Sequence, residues 1–462
     1  MSSSHSSIDL ARRAFLRRSA LTGVAGAAAP WALNLSLMAD AAAESAPSDF
    51  KALVCVFLYG GNDHANTLVP VDNAHHAAYA SIRTSIATPQ ASLLPTALTP
   101  TQALPDGLQY ALAPDLAPLK GLWDAGRMAV QLNVGPLIQP TTLAQYNARS
   151  VLLPPKLFSH NDQQSIWQSS LPEGAVSGWG GRMGDLMLAG NGGSVFTCVS
   201  VTGNAVFLSG QSAVQYQLST NGAVAINGIS KALNGSTTAQ AALRSLITAS
   251  NSHLFADEYA RVTRRSIDAE GQVTAALKVL PALATPFDSS LPLAQQLKMV
   301  ARMIAARTSF GTSRQVFMVS LGGFDLHDFL LDRHPGLLRT VASAMTSFYA
   351  ATVELGVADK VTTFTASDFG RTLSSNGDGS DHGWGSHHFV LGGAVNGKRY
   401  FGSAPAVAVN GPDDVGQGRL LPTTSVDQFG ATLATWLGVS DTNLPLVVPN
   451  IGSFSTRNLG FV

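Results

Sequence analysis

Long uninterrupted apolar runs, rather than strict alternation, set the rhythm of this chain. Residues 51–59 read K-A-L-V-C-V-F-L-Y, residues 128–134 M-A-V-Q-L-N-V and residues 315–321 Q-V-F-M-V-S-L. A strand covered on both faces has this pattern, because neither side of its pleat meets water. Residues 195–201, 360–365 and 388–391 are further strand candidates. Helical spacing recurs in 115–125, 159–167, 337–355 and 426–437, and across 241–307, where L-A-Q-Q-L-K-M-V-A-R-M-I-A-A-R is the clearest stretch. Strands alternating with helices predict an α/β fold with a mainly parallel sheet between helix layers. Gly178, Gly180, Gly181, Gly192 and Gly193 predict a loop-rich stretch. The Ser/Gly/Asn-rich residues 202–233 predict a small inserted cap or β region.

The first 43 residues break this rhythm. Arg12-Arg13 precede Phe15-Leu16, a weakly apolar Ala/Gly-rich stretch runs to Met38, and Ala41-Ala42-Ala43 offers a small-residue cleavage site. A basic start, an apolar middle and an A-x-A end mark an export signal. The paired arginines resemble the twin-arginine signal, which sends folded proteins through the Tat machinery to the periplasm. Pro30, Asn34 and the low hydrophobicity argue against an anchoring helix. No other stretch has the roughly 18 apolar residues that a permanent span requires.

Composition narrows the function classes. The 462 residues carry 29 Lys+Arg and 29 Asp+Glu, so only 13% are charged and there is no basic excess for nucleic acid. Removing residues 1–43 leaves 25 bases against 27 acids. Cys55 and Cys198 sit inside apolar runs, where an exported protein could pair them or bury them as free thiols.

Three of the apolar runs end alike: F-L-Y-G-G-N-D at Asp63, V-S-L-G-G-F-D at Asp325 and F-T-A-S-D at Asp368. Carboxyl ends of parallel strands line the ligand crevice of such sheets. Carboxylates gathered there repel one another unless a positive charge intervenes, and a divalent metal is the simplest one. His327 lies two residues beyond Asp325, so both share a side of an extended segment. His382, His387 and His388 follow, and adjacent His387 and His388 would diverge in a strand, so one of that pair at most is expected as a ligand. Mixed Asp/His ligation suits zinc or manganese, and calcium less well. Each residue also fits a plainer role. Asp63 could cap a turn, Asp368 could pair with Arg371, His382 could be a loop histidine, and His64 and His160 fit polar loops as well as a site.

The motifs together resemble the DUF1501 family of exported bacterial proteins. They are the R-R-x-F-L signal, L-V-C-V-F-L-Y-G-G-N-D, F-S-H-N-D-Q-Q-S-I-W-Q, S-L-G-G-F-D-L-H, F-T-A-S-D-F-G-R-T, D-H-G-W-G-S-H-H-F-V-L-G-G and the ending P-N-I-G-S-F. That family is similar to the alkaline phosphatase and sulfatase superfamily. The resemblance implies a three-layer α/β/α sandwich spanning residues 44–462 as one domain, with one or two metal ions at the carboxyl edge of the sheet. It implies metal roles for Asp63, Asp325, His327 and Asp368, and for one of His382, His387 or His388. Phe369 stands where the superfamily has a histidine beside the aspartate, which puts a two-metal site in doubt. Ser159, heading S-H-N-D-Q-Q, falls where the nucleophile is expected, and Arg371 is placed to stabilise charge on the transferring group. The function implied is metal-assisted hydrolysis of a small phosphate or sulfate ester. The rival expectation is an exported binding or scaffold protein that kept the fold without the chemistry.

Overall fold

The computed structural model describes residues 49–462. The expected twin-arginine segment lies outside them. Twelve strands run in chain order: β1 (Lys51–Leu58), β2 (Leu68–Pro70), β3 (Tyr110–Leu112), β4 (Met128–Gly135), β5 (Cys198–Ser200), β6 (Tyr216–Ser219), β7 (Gly222–Ala223), β8 (Arg314–Leu321), β9 (Val361–Ser367), β10 (Ser386–Gly392), β11 (Tyr400–Phe401) and β12 (Thr424–Ser425). Among the described residues there are twelve α-helices. The nine that matter below are α1 (Asn73–Arg83), α2 (Ala117–Asp124), α3 (His160–Ser169), α4 (Trp179–Met187), α5 (Thr237–Thr248), α6 (Leu254–Val279), α7 (Pro292–Ala305), α8 (Leu330–Glu354) and α9 (Val426–Leu437).

The main sheet has the order β11-β4-β10-β9-β1-β8-β5-β6-β7, with β12 also on β4 and β2 pairing separately with β3. β1 runs parallel to β8 and β9 in continuous register, Leu53 opposite Val316 and Thr362. β10 is antiparallel to both β4 and β9, and β7 is antiparallel to β6, so the sheet is mainly parallel. The carboxyl ends of β9, β1 and β8 therefore lie side by side.

Both faces of the central strands are dry. Ala52, Val54 and Val56 of β1 join Leu119 of α2, Leu297 and Val300 of α7, and Val341 and Met345 of α8 in one buried cluster. On the other face Phe364 of β9 stacks on Trp179 of α4 at 5.6 Å and meets Phe429 of α9 edge-on at 5.7 Å. Burial on both faces is why these strands read as unbroken apolar runs. Cys55 and Cys198 are buried free thiols, and burial pushes both pKa values up. No helix among the described residues is long and apolar enough to cross a membrane.

Two expectations need correction. The glycine-rich stretch after residue 178 contains helix α4, whose Trp179, Met183, Leu186 and Met187 form a buried stripe. Its glycines serve close packing: a Cβ on Gly181 would lie 2.1 Å from the Ser209 carbonyl carbon. Helix α8 starts at Leu330 and runs through Pro335, where a proline reads as a break. The backbone N–H groups of Phe329 and Leu330 bond Asp378, and buried His334 bonds Asn62, so tertiary anchors hold the first turns.

Gly181→Ala is expected to lose about 1–3 kcal/mol of stability in denaturant unfolding, the usual cost of overpacking. Gly271→Ala, in α6 with open space around the new methyl, is expected to gain up to about 1 kcal/mol. Equal effects at the two positions would refute the close-packing account of α4.

Candidate functional site

Tight turns leave each of the three central strands. Gly60 (φ +115°) and Gly61 (φ +80°) take the chain out of β1 in conformations that an L side chain resists. A side chain on Gly61 would also strike the Phe369 ring. Buried Arg371 then ties the turns together. Its Nε donates to Gly61 O at 2.9 Å, its Nη1 to Ser380 O at 2.8 Å, and its Nη2 to Gly60 O at 2.6 Å and to the Asp325 carboxylate.

Asp325 is the focus of three imidazoles. His327 Nε2 lies 3.1 Å and His382 Nε2 3.4 Å from Asp325 Oδ1, and His160 Nε2 lies 3.5 Å from Oδ2. The ligating atoms of His160, Asp325 and His382 all fall within 4.8 Å of one another. His327 joins from the Asp325 side, its Nε2 2.9 Å from His382 Nε2.

The other nitrogen of each ring is occupied. His160 Nδ1 meets Asp368 Oδ2 at 2.6 Å, His327 Nδ1 meets Asp381 Oδ1 at 3.1 Å, and His382 Nδ1 donates to Phe158 O at 2.8 Å. An acceptor at Nδ1 places the proton there, so the Nε2 lone pairs aim inward. The 2.9 Å approach of two such nitrogens is favourable only with a proton or a cation between them. Ligands around a tetrahedral zinc, each at about 2.0–2.1 Å, stand roughly 3.3–3.4 Å apart. The Asp325 separations of 3.1–3.5 Å match that spacing, and His160 Nε2 has no hydrogen-bond partner of its own. His160, Asp325 and His382 therefore fit one divalent ion, with His327 beside them.

Electrostatics follows from the same partners. The Asp368 hydrogen bond raises the pKa of His160 although burial opposes it, whereas burial lowers that of His382. Burial also pushes the Asp325 pKa up, but the Arg371 bond and charge outweigh it and the net shift is downward.

The other expected residues lie elsewhere. Asp368 is fully buried and acts one step back. It accepts from Gln164 at 2.7 Å and from the Gly60 amide at 3.2 Å as well as facing His160. Asp63 caps the following turn, accepting from Asn66 N, and is bound by Arg83 and by Ser380, both at 2.6 Å. With its oxygens so engaged, Asp63 stands apart from the cluster. Adjacent His387 and His388 diverge within β10 and neither reaches it. His387 packs on His64 and accepts from Asn133 N, while His388 lies edge-on to Trp167. Burial drives the His388 pKa down to about 3 and that of His64 to about 4. Ser159 stands at the head of α3, but its Oγ donates to Asp162 Oδ2 at 2.9 Å. The donors of Arg371 are spent on backbone and Asp325, so it holds the site rather than facing an open crevice. His160 is the member that sequence reasoning undervalued. The signal available was its place beside Ser159 at the start of a helix after a Pro-rich loop.

A further clamp fixes the His382 ring and the segment that leads to His160. Arg419 Nε donates to His382 O at 2.7 Å, and its guanidinium lies 5.0 Å from the Phe158 ring centre. Phe158, two residues before His160, is left-handed (φ +71°), and its carbonyl holds the His382 ring.

Comparison with known proteins gives a family without an activity. The family described as "Protein of unknown function (DUF1501)" matches residues 50–444. No curated protein sequence matches the chain. Among solved structures, one titled "Crystal structure of Ps i-CgsB in complex with k-i-k-neocarrahexaose" has 11% sequence identity and a TM-score of 0.34, covering 89% of this chain and 77% of that one.

Asp63→Asn is expected to cost about 3–5 kcal/mol of stability, because it leaves the buried Arg83 cation without its counter-charge. It should leave metal stoichiometry unchanged, which metal analysis of the folded fraction checks. If the cluster holds a divalent ion, Arg419→Ala is expected to weaken its binding by about 10-fold or more, as the loss of outer supports does. Titration with a chromophoric chelator reads the change, and an unaltered affinity would refute the clamp.

Proposed function

The chain belongs to the DUF1501 family, whose function is unknown, and we propose that it is an exported metal-dependent hydrolase of phosphate or sulfate esters with a single-ion centre. The observation that carries this reading is the inward aim of three imidazole Nε2 atoms on Asp325, each ring fixed at Nδ1 by its own acceptor. Three imidazoles and a carboxylate favour zinc over manganese, and both over calcium.

We read the fold as an alkaline-phosphatase-like α/β/α sandwich, and on that reading one metal position is lost. Arg83 neutralises Asp63 where a second ion would sit, and the Phe369 ring packs 4.8 Å from His160 and 4.7 Å from His382. A divalent ion would supply Lewis acidity to an ester oxygen and acidify water at the site. The chain's own residues do the rest. Arg371 orients Asp325, and Gln164 and the Gly60 amide hold Asp368 against His160. Ser159 is the candidate nucleophile at the start of α3. Its bond to Asp162 favours the second reading, an exported binding protein that holds a metal without turnover. Export rests on the twin-arginine segment ahead of the described residues.

The test is metal analysis of full-length protein purified from the periplasm, with p-nitrophenyl phosphate and p-nitrophenyl sulfate as substrates. One equivalent of zinc and hydrolysis of either ester, both lost in Asp325→Ala and His160→Ala, is the expected result. Bound metal without turnover would favour the binding protein. No metal, with turnover unaffected by Asp325→Ala, would sink the metal reading.

Metal retention should also depend on pH in a definite direction. Asp368 raises the His160 pKa above the ordinary 6.5, so protons compete with the ion from above that value downward. Occupancy after dialysis is expected to fall as the pH drops through this range. Unchanged occupancy down to pH 5 would contradict the assignment of His160 as a ligand.

A further inference from the structure

The geometry points to a second site, for an organic ligand bearing several phosphate or sulfate groups, at the opposite edge of the sheet from the Asp325 cluster. Helix α6 and the loops before β5 and β8 enclose a groove of about 660 Å³. It is lined by Arg261, Arg264, Arg265 and Asp268 of α6, with Ser194 and Phe310 across from them. Because residues 191–196 lead into β5 and residues 310–311 into β8, the groove lies at the amino ends of those strands. The Asp325 cluster lies beyond their carboxyl ends.

Charge is what singles the groove out. Only 13% of the chain is charged, yet three guanidinium groups fall within the five residues R-V-T-R-R. Spacings of three and four residues put them on one helical face, where like charges repel. Their counter-charges are incomplete. Arg261 is engaged by Glu258 at 2.6 Å. Arg264 bonds a neutral carbonyl, Thr248 O, at 2.6 Å, which fixes it in place without cancelling its charge. Arg265 has no ion-pair or hydrogen-bond partner among the described residues. Asp268 also lines the groove, 3.8 Å from exposed Arg244, so one carboxylate offsets part of the cluster's charge.

A concave surface concentrates the field of such charges. Guanidinium forks match tetrahedral oxyanions, which accept paired N–H bonds. The volume falls in the range that takes whole organic ligands, about 300–1,000 Å³, and far exceeds one phosphate or sulfate ion. Multiple oxyanion groups on a compact scaffold fit both the charge and the size.

Isothermal titration of the full chain with inositol hexakisphosphate and with sucrose octasulfate tests this and separates the phosphate from the sulfate source. Saturable one-to-one binding of at least one probe is expected, weakened about tenfold or more in the double variant Arg264→Gln/Arg265→Gln. Asp325→Ala should bind as wild type does, which keeps the result independent of the metal reading. The single variant Arg265→Gln alters a side chain with no partner among the described residues. It should weaken binding at an unchanged melting temperature, so a fold defect in the double variant cannot mimic the result. Absence of saturable binding, wild-type affinity in both arginine variants, or binding abolished only by Asp325→Ala would each overturn the second site.

Discussion

One buried guanidinium holds the candidate centre together. Arg371 reaches the carbonyls of Gly60 and Gly61 after β1, the carboxylate after β8 and the Ser380 carbonyl two residues before His382. Those segments are far apart in sequence and meet only because β9, β1 and β8 are neighbours in the sheet. A buried cation is costly unless its donors are satisfied, and here backbone oxygens and Asp325 satisfy most of them. The arrangement is self-consistent in both directions. Arg371, with His160 and His327, favours the ionised form of Asp325 despite its partial burial, and Asp325 gives the cation its counter-charge. The site geometry is thus paid for by the same contacts that close the turns.

Arg83 does the parallel task for Asp63. It comes from α1, is itself fully buried, and pairs with Asp63 at 2.6 Å. Burial pushes the Asp63 pKa up, but the Arg83 charge, His334 and the hydrogen bonds from Ser380 and Arg83 together outweigh it, so the carboxyl is held well below its ordinary range. A group whose pKa is depressed by folding stabilises the fold above its unfolded value and loses that contribution as the pH falls. Asp63 is therefore a stability element at neutral pH, while Asp325, about half exposed, keeps its face toward solvent. Two aspartates that look alike in sequence are divided by which arginine each meets.

That division marks the limit of what the sequence discloses. The runs ending in G-G-x-D or A-S-D located the carboxyl edge because a doubly buried strand must be apolar and must turn sharply at its end. The Asp325–His327 pair was legible for the same local reason, through the side-chain period of an extended segment. Asp63 was not, since its partner Arg83 lies twenty residues away on a helix with no special pattern. His387 and His388 misled because residues just before or inside a strand look alike in sequence. Only the antiparallel placement of β10 between β4 and β9 shows that they are inside. His160 depended on α3 crossing the sheet edge, a tertiary fact. Helix α4 was hidden because glycine lowers helix propensity whether it marks a loop or permits close packing.

The same physics bears on how many ions the proposed centre holds. A second ion near Asp63 would face the Arg83 guanidinium, a permanent cation already paired with that carboxylate. Like-charge repulsion opposes it. The first position has the reverse balance: Asp325, three inward lone pairs, and carboxylates at Asp368 and Asp381 behind two of the rings. Those outer carboxylates make the imidazoles better donors and add negative charge without occupying the centre. Arg371 is the cation bonded to Asp325, and its charge is matched by that carboxylate. On charge alone, then, the proposed centre would take one divalent ion, while Arg83 already supplies the positive charge beside Asp63.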